Sequence, residues 1–138
     1  MRLHKDAKVD LISRVPLFST CSKKELRMIA NLADQVDWRE GKTVIRQGAS
    51  GAEFFVLTNG TVSVFRDGEK LSDLAAGDWI GEVALVANVP RTATVVTTSP
   101  VTALVLTRGG FSQLIADNPS IAAKVLAGLG ERVAAETI

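Results

Sequence analysis

Two charged residues, Glu82 and Arg91, stand alone in the eighteen-residue apolar stretch WIGEVALVANVPRTATVV, Trp79 to Val96. Burying a charge among apolar neighbours costs several kcal/mol unless something pairs with it. One account is a structural ion pair between the two. The other is a ligand. Gly81 precedes a short helical run, so the amides of Glu82, Val83 and Ala84 are expected to point outward without intrahelical partners. A glycine-led helix start is an anion site, and the small residues Gly81 and Ala84 let an oxygen approach the backbone. Arg91 opens the next strand after Pro90, nine residues beyond Glu82. Its fork of donors matches two oxygens of one phosphate. A phosphate explains Arg91 but repels Glu82. Glu82 fits if the ligand also carries a hydroxyl beside its phosphate, as a ribose 2′-hydroxyl does in dinucleotide sites. A cyclic nucleotide has both groups within a few Å and one negative charge. At this level the ion pair stays open beside it.

Other chemistries lack their parts. The chain has one histidine, His4, so a multi-histidine metal site in a barrel is excluded. A serine or cysteine nucleophile would need His4 as its base, and Cys21 reads as a small hydrophobe. No catalytic residue, metal or further cofactor is expected, and the chain is not expected to be an enzyme. The 16 basic and 15 acidic residues give a net charge of +1, without the basic excess that nucleic acid requires. The apolar runs VALVANV and VTALVL fall far short of the ~18–20 residues of a membrane span. MRLHKDAKVD has no apolar signal core. A soluble, cytoplasmic chain is expected, either free-standing or a piece of a larger regulator, with no nucleic-acid or membrane partner of its own.

The elements that must position Glu82 and Arg91 fall into three regions of a single domain spanning 1–138. Helices are expected over about 5–35: VDLIS, a turn at Pro16, then SKKELRMIANLADQ, with Leu26, Ile29, Ala30 and Ala33 on one face and a Ser22/Glu25 capping box. From about 36 to 107, glycines punctuate the short β-rich runs TVIR, EFFVLT, TVSVF, TATVV and VTALVL. This spacing predicts an antiparallel barrel or jelly-roll sandwich. GDWIGEVALVANVP breaks the alternation and is expected to be one short helix closed by Pro90. From about 108 to 138 the chain turns helical again: GGFSQLIAD, then a helix with Asn118 as N-cap and Pro119 at its first position. Its periodic residues are Ile121, Val125, Leu126, Leu129 and Val133, with Gly128 and Gly130 weakening it by about 1 kcal/mol each. The fold class is thus mainly β with flanking α: an antiparallel β-barrel or jelly-roll sandwich with an inserted phosphate-binding helix, N-terminal helices and C-terminal lid helices.

GDWIGEVALVANVPRTATV resembles the phosphate-binding cassette of the cyclic nucleotide-binding domain family, found in kinases, channels and bacterial regulators. Gly81, Glu82, Ala84 and Leu85 match its Gly-Glu-x-Ala-Leu run; Pro90, Arg91, Thr92, Ala93 and Thr94 match its Pro-Arg-small-Ala-Thr run. GKTVIRQG, FFVLTNGTVSV and AAGDWIGE extend the likeness over nearly the whole chain. The resemblance implies a ligand site of Gly81, Glu82, Val83, Ala84, Arg91, Thr92 and Ala93. In it Arg91 binds the cyclic phosphate, Glu82 the ribose hydroxyl, and amides around Val83 and Ala84 complete the cradle. Thr92 in this family can contact a guanine amino group or a phosphate oxygen, which permits cGMP; cAMP is the expected ligand. Trp79 and Ile80 replace an aromatic pair, a change expected to affect packing only. The resemblance implies a regulatory module that signals through its C-terminal helices, with Leu129 and Val133 candidates for a lid over the base, to an effector domain or protein. The other readings are a degenerate docking or dimerisation module and a cGMP-preferring sensor.

Overall fold

The computed structural model describes residues 3–136, with side chains up to residue 131. They form two compact units, Asp34–Arg108 and the segments up to Ala33 and from Gly109 onward.

The Asp34–Arg108 unit holds eight strands: β1 (Asp34–Trp38), β2 (Thr43–Ile45), β3 (Glu53–Asn59), β4 (Thr61–Arg66), β5 (Glu69–Ala75), β6 (Trp79–Ile80), β7 (Thr94–Thr97) and β8 (Val101–Thr107). They make two four-stranded antiparallel sheets, ordered β1-β8-β3-β6 and β2-β7-β4-β5. Ile45, Phe55, Leu57, Val62, Val95, Val101 and Ala103, drawn from both sheets, form one buried cluster. Phe55 and Leu57 of β3, and Val101 and Ala103 of β8, are alternate residues that meet in this cluster, as a sandwich with one filled interior demands. This is the expected jelly-roll architecture.

Three details differ from expectation. The second helix stops at Leu32 rather than running to Gln35, and DQVDW becomes β1, paired with β8 from Asp34↔Val105 to Trp38↔Val101. Val36 and Trp38, two residues apart, pack against the core, and Trp38 meets Phe55 edge-on at 4.9 Å. The period of two and the open edge of β8 outweigh helical propensity there. EKLSDLA, mostly exposed, is nonetheless β5. An Asp67-Gly68 turn with positive φ at both residues (+53° and +82°) folds it back on β4, and Ser63 Oγ donates to Asp73 at 2.6 Å. GDWIGEVALVANVP is not one helix: Trp79 and Ile80 are strand, and only Glu82–Leu85 form a 3-10 turn. β3 supplies the partner that makes Trp79 and Ile80 extended, with pairs Phe55↔Ile80 and Val56↔Trp79.

The other unit contains α1 (Lys5–Ser13), a 3-10 turn at Pro16–Phe18, α2 (Lys23–Leu32), all of α3 (Arg108–Asp117) except its first residue Arg108, which belongs to the strand unit, and α4 (Pro119–Glu136). The Ser22/Glu25 capping box is present, with Glu25 N donating to Ser22 Oγ at 3.2 Å and Ser22 N to Glu25 Oε1 at 2.8 Å. Glu25 is buried and also accepts from Ser120 Oγ at 2.9 Å and from Lys124 Nζ. Its hydrogen bond from Lys124, then that from the Ser22 amide, hold its carboxyl down to about 2. Cys21 is half-buried, and burial pushes its thiol above the ordinary value. Asn118 precedes α4 as expected: its carbonyl accepts from Ile121 N at 3.0 Å, and its side-chain amide donates back to Leu114 O at 2.9 Å. Ile121 and Val125 are buried while Leu126 is 71% exposed. Val133 lies outside the described side chains.

Candidate anion-binding site

β6 delivers the chain to Gly81 along the edge of β3. Leu57 N donates to Asp78 O and Gly77 N to Leu57 O, both at 2.8 Å, and Asp78 Oδ2 accepts from Ala75 N at 2.9 Å. At Gly81 the chain turns left-handed (φ 81°, ψ 27°) and enters the 3-10 turn Glu82–Leu85. Glycine is required there twice over. The φ is one that side-chain-bearing residues rarely adopt. A Cβ would also stand 2.6 Å from Arg91 Nη1 and 3.1 Å from Glu53 O. Ala84 N closes the turn on Gly81 O at 3.0 Å. The expectation of an outward Ala84 amide is thereby corrected: a tight 3-10 turn uses its third amide, and Glu82 and Val83 carry the two that precede its first bond.

Arg91 arrives from the opposite side. Its N donates to Ala49 O and its O accepts from Gly48 N, both at 2.8 Å. Nη2 donates to Glu53 O at 2.8 Å, which takes one of the five guanidinium donors. A Cβ at Gly51 would lie 2.3 Å from Nε and 2.7 Å from Cζ and Nη2. The guanidinium is therefore enclosed by two glycines and a carbonyl. Burial lowers its pKa from the ordinary value, Glu53 works in the opposite direction, and Arg108 adds to the lowering. Beyond Arg91, Thr92 O accepts from Arg66 Nε at 2.9 Å and Thr94 Oγ1 from Gln47 N at 2.9 Å. These two bonds, with those at residues 48 and 49, fix the path from Arg91 into β7.

Gly81, Arg91, Thr92 and Ala93 meet on one cavity of about 70 Å³, lined also by Ile45, Val64, Ile80 and Val95. Arg91 is the only charged residue among these eight. The volume is that of about two waters. It suits a phosphate group, with the remaining atoms of a larger ligand at the mouth. A guanidinium against apolar walls attracts an anion more strongly than it would in water. Of the other expected site residues, Glu82 and Ala84 are buried in the adjoining turn and Val83 is 42% exposed. Glu82 already interacts with another group of the protein.

Sequence reasoning missed Gly51, Glu53 and Arg108. Gly51 had a signal in GASGAE, a glycine three residues after Gly48, but nothing local tied it to Arg91, forty residues away. The Glu53 contact runs through its carbonyl, which no side-chain pattern reveals. Arg108 donates from Nη1 to Ala84 O at 3.2 Å and to Ala87 O at 3.1 Å.

A family model described as the cyclic nucleotide-binding domain matches residues 35–118. The chain is 32% identical over 107 residues to a cAMP-dependent protein kinase regulatory subunit of Debaryomyces hansenii, a match covering 77% of this chain and 24% of that one. It is 34% identical over 116 residues to the cGMP-dependent protein kinase egl-4 of Caenorhabditis briggsae, covering 79% and 16%. The chain thus spans about a quarter and a sixth of these relatives. Among solved structures, the N-terminal domain of a transcriptional regulator from Streptomyces coelicolor A3(2) superposes with a TM-score of 0.84 at 26% identity, over 93% of this chain and 95% of that one.

Proposed function

The chain belongs to the cyclic nucleotide-binding domain family, and from that premise we propose that it is a regulatory sensor whose ligand is cAMP. The observation that carries this reading is the Arg91 guanidinium, enclosed by Gly51, Gly81 and Glu53 O on a phosphate-sized cavity in which it is the only charged residue. The cyclic phosphate enters that cavity and takes the free arms of the Arg91 fork together with the amides of Glu82 and Val83. The Glu82 carboxylate accepts the ribose 2′-hydroxyl. Thr92 and Ala93 line the wall beside the base. The likeness to a cAMP-dependent kinase subunit supports cAMP, and the likeness to a cGMP-dependent kinase makes cGMP the competitor to test.

The role is regulatory rather than catalytic. Nucleotide binding shifts an equilibrium between two arrangements of the C-terminal helices α3 and α4, by no more than its differential affinity for them. An effector domain or partner protein reads that shift in the cytoplasm. Among the described residues no helix is long and apolar enough to cross a membrane, and no cluster of His, Cys, Asp and Glu could hold a metal ion.

Calorimetric titration of the wild type with cAMP and with cGMP tests the reading. Heat with cAMP at lower concentration than with cGMP supports it. Tighter cGMP binding would revise the ligand, and no heat with either would leave the docking-module reading. Hydrogen exchange in α4 tests the signal: protection unchanged by saturating nucleotide would exclude α4 as its carrier.

A further inference from the structure

Arg108 is the first residue of α3, yet its side chain serves the cassette. Nη1 donates to Ala84 O and Ala87 O, carbonyls at the C-terminal side of the 3-10 turn. Carbonyls at such an end have no partner within the turn, and a cation there both satisfies them and complements their dipoles. The Arg108 amide donates to Ala52 O at 2.7 Å. Ala52 lies between Gly51, which abuts the Arg91 guanidinium, and Glu53, whose carbonyl accepts from it. The contacts close a ring: Arg91 to residues 51–53, Ala52 to Arg108, Arg108 to Ala84, and through the turn to Gly81, which abuts Arg91 again. Both ends of the cassette turn are thus fixed against one three-residue segment.

We infer that Arg108 is a positioning residue for the ligand phosphate: it holds the turn by its last carbonyls so that its leading amides, Glu82 and Val83, stay aligned with Arg91. The inference rests on the nucleotide-binding reading above. Arg108 is not one of the eight residues that line the cavity, so it acts through the turn rather than on the anion. Arg108 is also near enough to Arg91 for its charge to be felt there, so the two cations add in the positive field around the anion.

The test uses Arg108→Met, which keeps a stem of similar length without its donors, and Arg108→Lys, which can reach one carbonyl. Titration with cAMP should show about tenfold weaker binding for Arg108→Met, the scale of a lost charge-assisted bond. Arg108→Lys should fall between it and wild type. cGMP should lose affinity by the same factor, because the base is not involved. Without nucleotide, exchange protection should drop at Glu82–Ala87 in Arg108→Met while the urea midpoint stays near that of wild type. A double-mutant cycle with Arg91→Ala should be non-additive, since both residues act on one phosphate. Additive losses, or wild-type affinity in Arg108→Met, would overturn the inference and leave nucleotide binding intact. If Arg108→Met does not fold, Arg108→Gln decides by the same titration. A wild type that binds neither nucleotide would overturn the functional reading and this inference together.

Discussion

The Cα of Gly51 faces the guanidinium of Arg91 so closely that an added Cβ would stand 2.3 Å from Nε. Unlike Gly81, Gly51 has a backbone conformation open to any residue. It is glycine for the sake of a side chain forty positions away. Gly51→Ala is therefore expected to displace the end of a flexible side chain at little cost in folding, and to reduce denatured-chain entropy by the ~0.4–1 kcal/mol typical of Gly→Ala. Nucleotide affinity should nonetheless fall about tenfold or more. Chemical denaturation and calorimetric titration of the same sample separate the two effects; unchanged affinity would mean that Arg91 has another working position.

Arg91→Ala should lose at least ~1.5–3 kcal/mol of nucleotide binding, the worth of a charge-assisted hydrogen bond, or roughly tenfold and more in affinity. Titration with cAMP measures it.

Glu82 should be coupled to one hydroxyl. Wild type is expected to bind 2′-deoxy-cAMP much more weakly than cAMP, while Glu82→Ala should bind both alike. If the deoxy ligand loses the same factor with both proteins, Glu82 serves the fold of its turn instead.

The two glycines of α4 should respond in opposite directions. At Gly128 a Cβ would meet Leu17 O at 2.8 Å and Pro16 O at 3.2 Å, backbone atoms that cannot swing aside. Gly128→Ala should destabilise by about 1–3 kcal/mol, as overpacking does. At Gly130 nothing lies within 4 Å, so Gly130→Ala should stabilise the helix by up to about 1 kcal/mol. Urea unfolding of the two variants gives the signs.

Acid should act through Glu25. Its carboxyl is held near 2 in the folded chain, chiefly by Lys124, against an ordinary value of 4.5. A depressed folded pKa contributes stability above the unfolded value and loses it as pH falls toward the folded one. Wild type should therefore lose stability between about pH 4.5 and 2 more steeply than Glu25→Gln. Thermal melts across that range would show parallel curves if the Lys124–Glu25 contact contributes nothing.

Much of this was visible in local pattern. Strands of period two between glycines gave the sandwich, the Ser22/Glu25 spacing gave the α2 cap, and the run holding Gly81, Glu82 and Arg91 gave the family. These signals are short-range: each needs only residues a few positions apart, and the conformational preferences of glycine, proline and β-branched residues act at that range. Elements made by partners were less legible. DQVDW became a strand because β8 offered an edge, and Trp79-Ile80 because β3 did. Gly128, read as a weak point in a helix, is instead a place where two backbones approach.

The sequence by itself determined the residue types on which the proposed site rests: a guanidinium suited to an anion, a carboxylate suited to a hydroxyl, and a glycine that lets the chain turn between them. Only the tertiary structure decided how Arg91 is held. Its neighbours Gly51 and Glu53, and Arg108 behind the turn, come from segments tens of residues apart, brought together by the pairing of β3 with β6 and β8. The holding contacts end on the backbone carbonyls of Glu53, Ala84 and Ala87 and on the absence of a Cβ at Gly51 and Gly81. Such partners leave little trace in residue type, because every residue has a carbonyl and its position is set by the fold.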